Sequence, residues 1–96
     1  MEQRRSPRIV RLVPLTLTDG DRTVDAESAV INAHGALVLS PAPFVLGAAV
    51  SLTNRRTGAS IEGRIVWEEV DPSAAFKLGV EFERPAADFW GADYPG

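Results

Sequence analysis

An all-β fold, a small antiparallel barrel, is predicted for this chain by three observations. Apolar residues recur with a period of two rather than 3.6. About six such segments follow one another at spacings of roughly ten residues. Turn-forming residues separate them. A barrel is favoured over a sandwich because closure removes the exposed edges that a small open sheet would have to protect.

The first strand is expected over about residues 8–18, with Ile9, Arg11, Val13, Leu15 and Leu17 on one face and only Arg11 breaking the apolar row. Pro14 lacks a ladder N–H, so this strand is an edge or is bulged there. Asp19-Gly20-Asp21 signals a hairpin turn. The return strand, about residues 22–31, alternates Val24, Ala26, Ser28 and Val30. Asn32-Ala33-His34-Gly35 interrupts it before Ala36-Leu37-Val38-Leu39 resumes, and Gly35 reads as a bulge, a tight turn or a close backbone approach. Pro41 and Pro43 break the chain ahead of a short strand at 48–53, and Asn54 to Gly58 forms the next turn.

Residues 60–69 place Ile61, Gly63, Ile65 and Trp67 on one face, with Val66 on the polar side. After the turn at Asp71-Pro72-Ser73, the cleanest amphipathic strand carries Phe76, Leu78, Val80 and Phe82. Trp67, Phe76, Leu78 and Phe82 are therefore core candidates, not a stacking platform. Pro85 opens a short C-terminal helical turn, whose Phe89 and Trp90 cover a barrel end or the sheet.

Ninety-six residues make one small domain, here 9–96, preceded by a flexible basic arm, 1–8. Four arginines against one acid give residues 1–11 a charge of +3, whereas the other 85 residues hold six bases and twelve acids, a balance of −6. A cationic arm on an acidic body is an anion grip, and arginine's forked guanidinium suits phosphate and guanine. The acidic total argues against nucleic acid as a partner. One histidine and no cysteine leave no nucleophile–base pattern and no metal-ligand spacing, so neither an enzyme nor a metal site is expected. Glu68, Glu69 and Asp71 read as a solvated turn, not a calcium site. No apolar run approaches the ~18 residues of a membrane span, and no signal-peptide core opens the chain. The expected place is the cytoplasm.

Arg4-Arg5-Ser6-Pro7-Arg8 is an RxxxR spacing directly before the first strand, followed by Val30-Ile31-Asn32-Ala33-His34-Gly35 and, much later, Gly79-Val80-Glu81-Phe82. In this order and spacing the chain resembles the PilZ domain family, from Arg4 to about Pro85. That family carries RxxxR, a (D/N)xSxxG motif ending at a strand start, and often a late strand of this last kind. Gly63 to Trp67 resembles its penultimate strand. The second motif departs from the pattern: Asn32 stands at the serine position and Val30 at the Asp/Asn position, so only Gly35 of that motif is intact.

The resemblance implies a six-stranded antiparallel barrel of the PilZ, split-barrel type that acts as a receptor for the bacterial second messenger cyclic di-GMP. Arg4 and Arg8 would grip guanine edges and phosphates, and Arg5 would add a phosphate or stacking contact. Asn32 reads both as a stand-in for serine at the ligand and as a turn former. Gly35 would admit the ligand close to the backbone. His34, in the same turn, is a further candidate for a base contact. No cofactor is implied beyond the ligand, and a protein target of unknown identity would receive the signal. The alternative, motivated by Val30, is a degenerate PilZ domain that serves as a protein–protein interaction module without binding nucleotide.

Overall fold

The computed structural model describes residues 8–20, 22–73 and 75–94. The strands are β1 (Ile9–Val10), β2 (Pro14–Asp19), β3 (Arg22–Asn32), β4 (Gly35–Ser40), β5 (Ala49–Asn54), β6 (Ser60–Val70) and β7 (Phe76–Phe82), followed by a 3-10 helix (Ala87–Asp93). Antiparallel pairing runs β2–β3–β4–β7–β6–β5 and back to β2, so six strands form a closed barrel. The two-residue β1 lies outside this ring, paired to the far end of β3 through Ile9↔Ile31 and Val10↔Val30.

The expected first strand is thus divided into β1 and β2. Residues 11–13 leave the regular ladder because Ser28, fully buried, inserts its hydroxyl there. Its Oγ donates to the Arg11 carbonyl (2.6 Å) and accepts the Val13 N–H (2.9 Å). The Ser28 N–H reaches the Val13 carbonyl, and the Arg11 N–H reaches the Ala29 carbonyl. Val10, before this break, and Leu12, within it, are exposed.

Val13 just ahead of β2, Leu15 and Leu17 of β2, Leu52 of β5, Ile65 of β6 and Leu78 of β7 are fully buried in one core. Alternation fills the inside of a small barrel with every second side chain. Both ends are plugged. Phe44, from the β4–β5 connection, is buried beneath Arg22, whose guanidinium lies 4.2 Å from its ring centroid. At the other end, Phe89 and Trp90 of the 3-10 helix pack on Phe82, the first edge-to-face at 5.4 Å and the second tilted at 5.9 Å between centroids. Buried Asn54, at the end of β5, donates from Nδ2 to the Phe89 carbonyl and fixes that helix to the barrel.

Candidate functional site

The site forms where β3 turns into β4. Asn32 ends β3, and its Oδ1 accepts the His34 N–H at 2.7 Å, closing a two-residue turn. The three backbone carbonyls of Asn32, Ala33 and His34 are all taken by the C-terminal segment. They accept from Trp90 Nε1 (2.8 Å), Ala86 N (2.7 Å) and Phe82 N (2.8 Å) respectively. The turn is therefore braced from behind. Arg8 directly precedes β1, and extending the β1–β3 register by one pair puts it opposite Asn32.

In front of the turn lies a cavity of about 390 Å³ on the outer wall of the barrel. Arg8, Asn32, His34 and Gly35 all line it, together with outward residues of β4, β6 and β7. Two irregularities shape it. A register shift in β3 between Ser28 and Val30 moves Val30 out of the inward row and onto the cavity wall, while Ile31 takes the core position. A second shift in β6, between Ile65 and Trp67, does the same for Trp67. Trp67 is 42% exposed and lines the cavity, which corrects its expected place in the core. A bulge inserts one residue and reverses every later side chain, so strict alternation fails past Val66. The indole is seated over Gly79 of β7: a Cβ there would stand 3.0 Å from Trp67 Cβ and 3.8 Å from Trp67 Cε3.

Gly35 has a packing reason of its own. A Cβ at this position would collide with the Val80 carbonyl oxygen of the neighbouring strand β7. Close strand approach accounts for the glycine whether or not a ligand lies against it.

A cation, a hydrogen-bonding turn and an exposed indole facing one cavity suit a ligand with both negative charge and a flat ring. The family comparison agrees with this chemistry: the model of the PilZ domain matches residues 2–89. The chain belongs to the PilZ domain family. PilZ domains are receptors for cyclic di-GMP and act as binding and adaptor domains rather than enzymes. The PilZ fold is also found in the solved structure of the Bacillus subtilis inhibitor of motility (MotI/DgrA). That structure superposes with a TM-score of 0.76 at 19% identity, over 98% of this chain and 49% of that one. The chain thus spans about half the length of that protein. No curated protein matches it.

Of the PilZ motif residues, Arg8, Asn32, His34 and Gly35 come together at the cavity, whereas Arg4 and Arg5, with the rest of the arm up to Pro7, lie outside the described residues. Val30 and Trp67 are the cavity residues that alternation conceals. The signal for Trp67 was available as Val66, an apolar residue in a polar row. Among the described residues no group of His, Asp or Glu is arranged to hold a metal ion, and no helix is long and apolar enough to cross a membrane. Asp71 instead organises the β6–β7 turn. It accepts from the Ser73 N–H and hydroxyl and faces Lys77 Nζ at 3.6 Å. The Ser73 hydrogen bonds, helped by Lys77, hold its carboxyl below the ordinary value.

Proposed function

We propose that this PilZ domain binds cyclic di-GMP at the β3–β4 turn, with the arm of residues 1–8 closing over the nucleotide and residues 9–96 serving as the scaffold. Arg8, and Arg4 and Arg5 ahead of it, supply forked donors for guanine O6 and N7 and for the phosphates. Asn32 and His34 offer polar contacts from the braced turn, and Trp67 offers its exposed face to a guanine ring. The observation that carries this reading is the β1–β3 pairing, which brings the second arginine of RxxxR to the same cavity as Asn32 and Trp67. Binding would order the arm and thereby change the surface offered to a protein target.

Titration calorimetry with cyclic di-GMP tests it. The unmodified chain should release heat at micromolar ligand. Arg8→Ala should weaken binding by roughly 10- to 100-fold, the loss of a charge-assisted contact. Absence of heat from the unmodified chain refutes the reading.

The second reading, an adaptor that does not bind nucleotide, has one observation in its favour: Val30 presents an apolar wall to the cavity where the family motif has Asp or Asn. A Val30→Asp/Asn32→Ser double variant that binds when the unmodified chain does not would establish it.

A further inference from the structure

The cavity keeps one carboxylate. Glu81 of β7 lines it, is exposed, and its carboxylate makes no hydrogen bond or ion pair among the described residues. Its natural cross-strand partner is Arg64, directly opposite in the β6–β7 register. Arg64 turns away instead and donates from Nη1 to the Gly47 carbonyl at 2.7 Å. On its other side Glu81 faces Gly35, which has no side chain to offer. Among the described residues an acid is thus left without a partner at the mouth of a cavity whose arginine is suited to anions. A phosphate would be repelled by it, so its role lies with another part of the ligand.

Glu81 and Gly79 share the outer face of β7, two residues apart and therefore about 6.8 Å along the strand. Trp67 sits on Gly79. A purine stacked on the indole can direct one edge along β7 toward Glu81. Guanine presents two parallel donors on its Watson–Crick edge, N1–H and the 2-amino group. A carboxylate has two acceptor oxygens at matching spacing and no donor. Adenine presents an acceptor at N1, which a carboxylate repels.

Resting on the binding reading above, we infer that Glu81 is the specificity-determining residue of this cavity: it accepts N1–H and the 2-amino group of the guanine stacked on Trp67 and so selects guanine over adenine and over hypoxanthine. The polar side chain missing at Val30 is thereby replaced by one from β7.

The experiment titrates the unmodified chain, Glu81→Ala and Glu81→Gln with cyclic di-GMP, cyclic di-AMP and the cyclic inosine dinucleotide, which lacks only the 2-amino groups. Circular dichroism melts show that each variant is folded, as expected for an exposed strand position. The unmodified chain should prefer cyclic di-GMP over the inosine analogue by about 10-fold or more, and Glu81→Ala should lower affinity for cyclic di-GMP by about 10- to 100-fold and abolish that preference. Glu81→Gln, with one acceptor left, should fall between. If the unmodified chain binds cyclic di-GMP but the variants match it within about 2-fold, or weaken all three ligands equally, the assignment of Glu81 fails and the binding reading stands. If the unmodified chain binds none of the three, both fail together.

Discussion

Replacing Ser28 by alanine tests how the barrel is joined to the site. Ser28 is fully buried, and its hydroxyl is both the acceptor for the Val13 N–H and the donor to the Arg11 carbonyl. Alanine removes both bonds while creating almost no cavity. Val13 is itself fully buried, so its N–H is left without water or protein partner, at ~1–3 kcal/mol. Arg11 is exposed, so its carbonyl regains water and forfeits only a net hydrogen bond, ~0.5–1.5 kcal/mol. The expected loss is about 2–4 kcal/mol in urea unfolding, or a fall of roughly 10–20 °C in Tm for a domain of this size. Thr53→Ala, which removes a hydroxyl contact to Ser60 on the exposed face, is the control and should cost less than about 0.5 kcal/mol. Ser28→Ala also frees residues 11–13 and weakens the seat of β1, so the apparent affinity for cyclic di-GMP should fall in proportion to the fraction of molecules with β1 detached. A Ser28→Ala protein as stable as the unmodified chain, within about 0.5 kcal/mol, would show that Ser28 does not hold the β1–β2 break.

Three further outcomes are expected. Gly35→Ala should destabilise the fold by about 2 kcal/mol or more in urea melts, because the obstacle is the Val80 backbone carbonyl and no rotamer relieves it. Trp67→Ala should weaken cyclic di-GMP binding by ~1–3 kcal/mol in calorimetry, the cost of losing one stacked base, and should leave the barrel core intact, with thermal stability lowered only by the lost packing of the indole on Gly79. Asp71→Asn should flatten the acid limb of the stability profile. With its folded pKa held below the ordinary 3.8, Asp71 contributes stability that is fully present above about pH 4 and lost as pH falls through the lowered value. Thermal melts between pH 7 and pH 2 read this difference.

The barrel was legible because small closed sheets obey local rules. Period-two patterning located β2, β5 and β7, and proline, glycine and asparagine marked the connections between strands. The aromatic plug of Phe89 and Trp90 was legible too, since a short helical turn carrying two large rings has no other apolar surface to cover. The break between β1 and β2 was displaced. Pro14 marked the irregularity, but its cause is the hydroxyl of Ser28, fourteen residues further on in sequence and visible only once the strands pair. Arg8, Asn32, His34 and Gly35 could be gathered into one site from their motif spacing. Val30 belongs to the same motif by spacing, but its place on the outer wall, like that of Trp67, was hidden, because each follows a bulge, and a bulge is a relation between two strands rather than a property of one.

The two bulges explain why this wall of the barrel has a binding face at all. Regular alternation would send Val30 and Trp67 into the core and leave β3, β4, β7 and β6 presenting only Ala29, Leu37, Gly79 and Val66 at this level. With an extra residue in β3 and another in β6, both large side chains emerge on the same face, one on either side of the β4–β7 pair. Gly35 and Gly79 keep the floor between them low, one by admitting the Val80 carbonyl and the other by receiving the indole. The cavity is therefore a product of register, and it should be sensitive to register. Deleting Val66 would remove the extra residue and leave Trp67 next after Ile65, still outward and opposite Gly79, whereas deleting Trp67 would set Val66 in that place. The first variant should keep nucleotide binding, and the second should lose it even with every arginine of the arm intact. If the second bound cyclic di-GMP as tightly as the unmodified chain, the arm alone would hold the ligand and the indole wall would have no part in recognition.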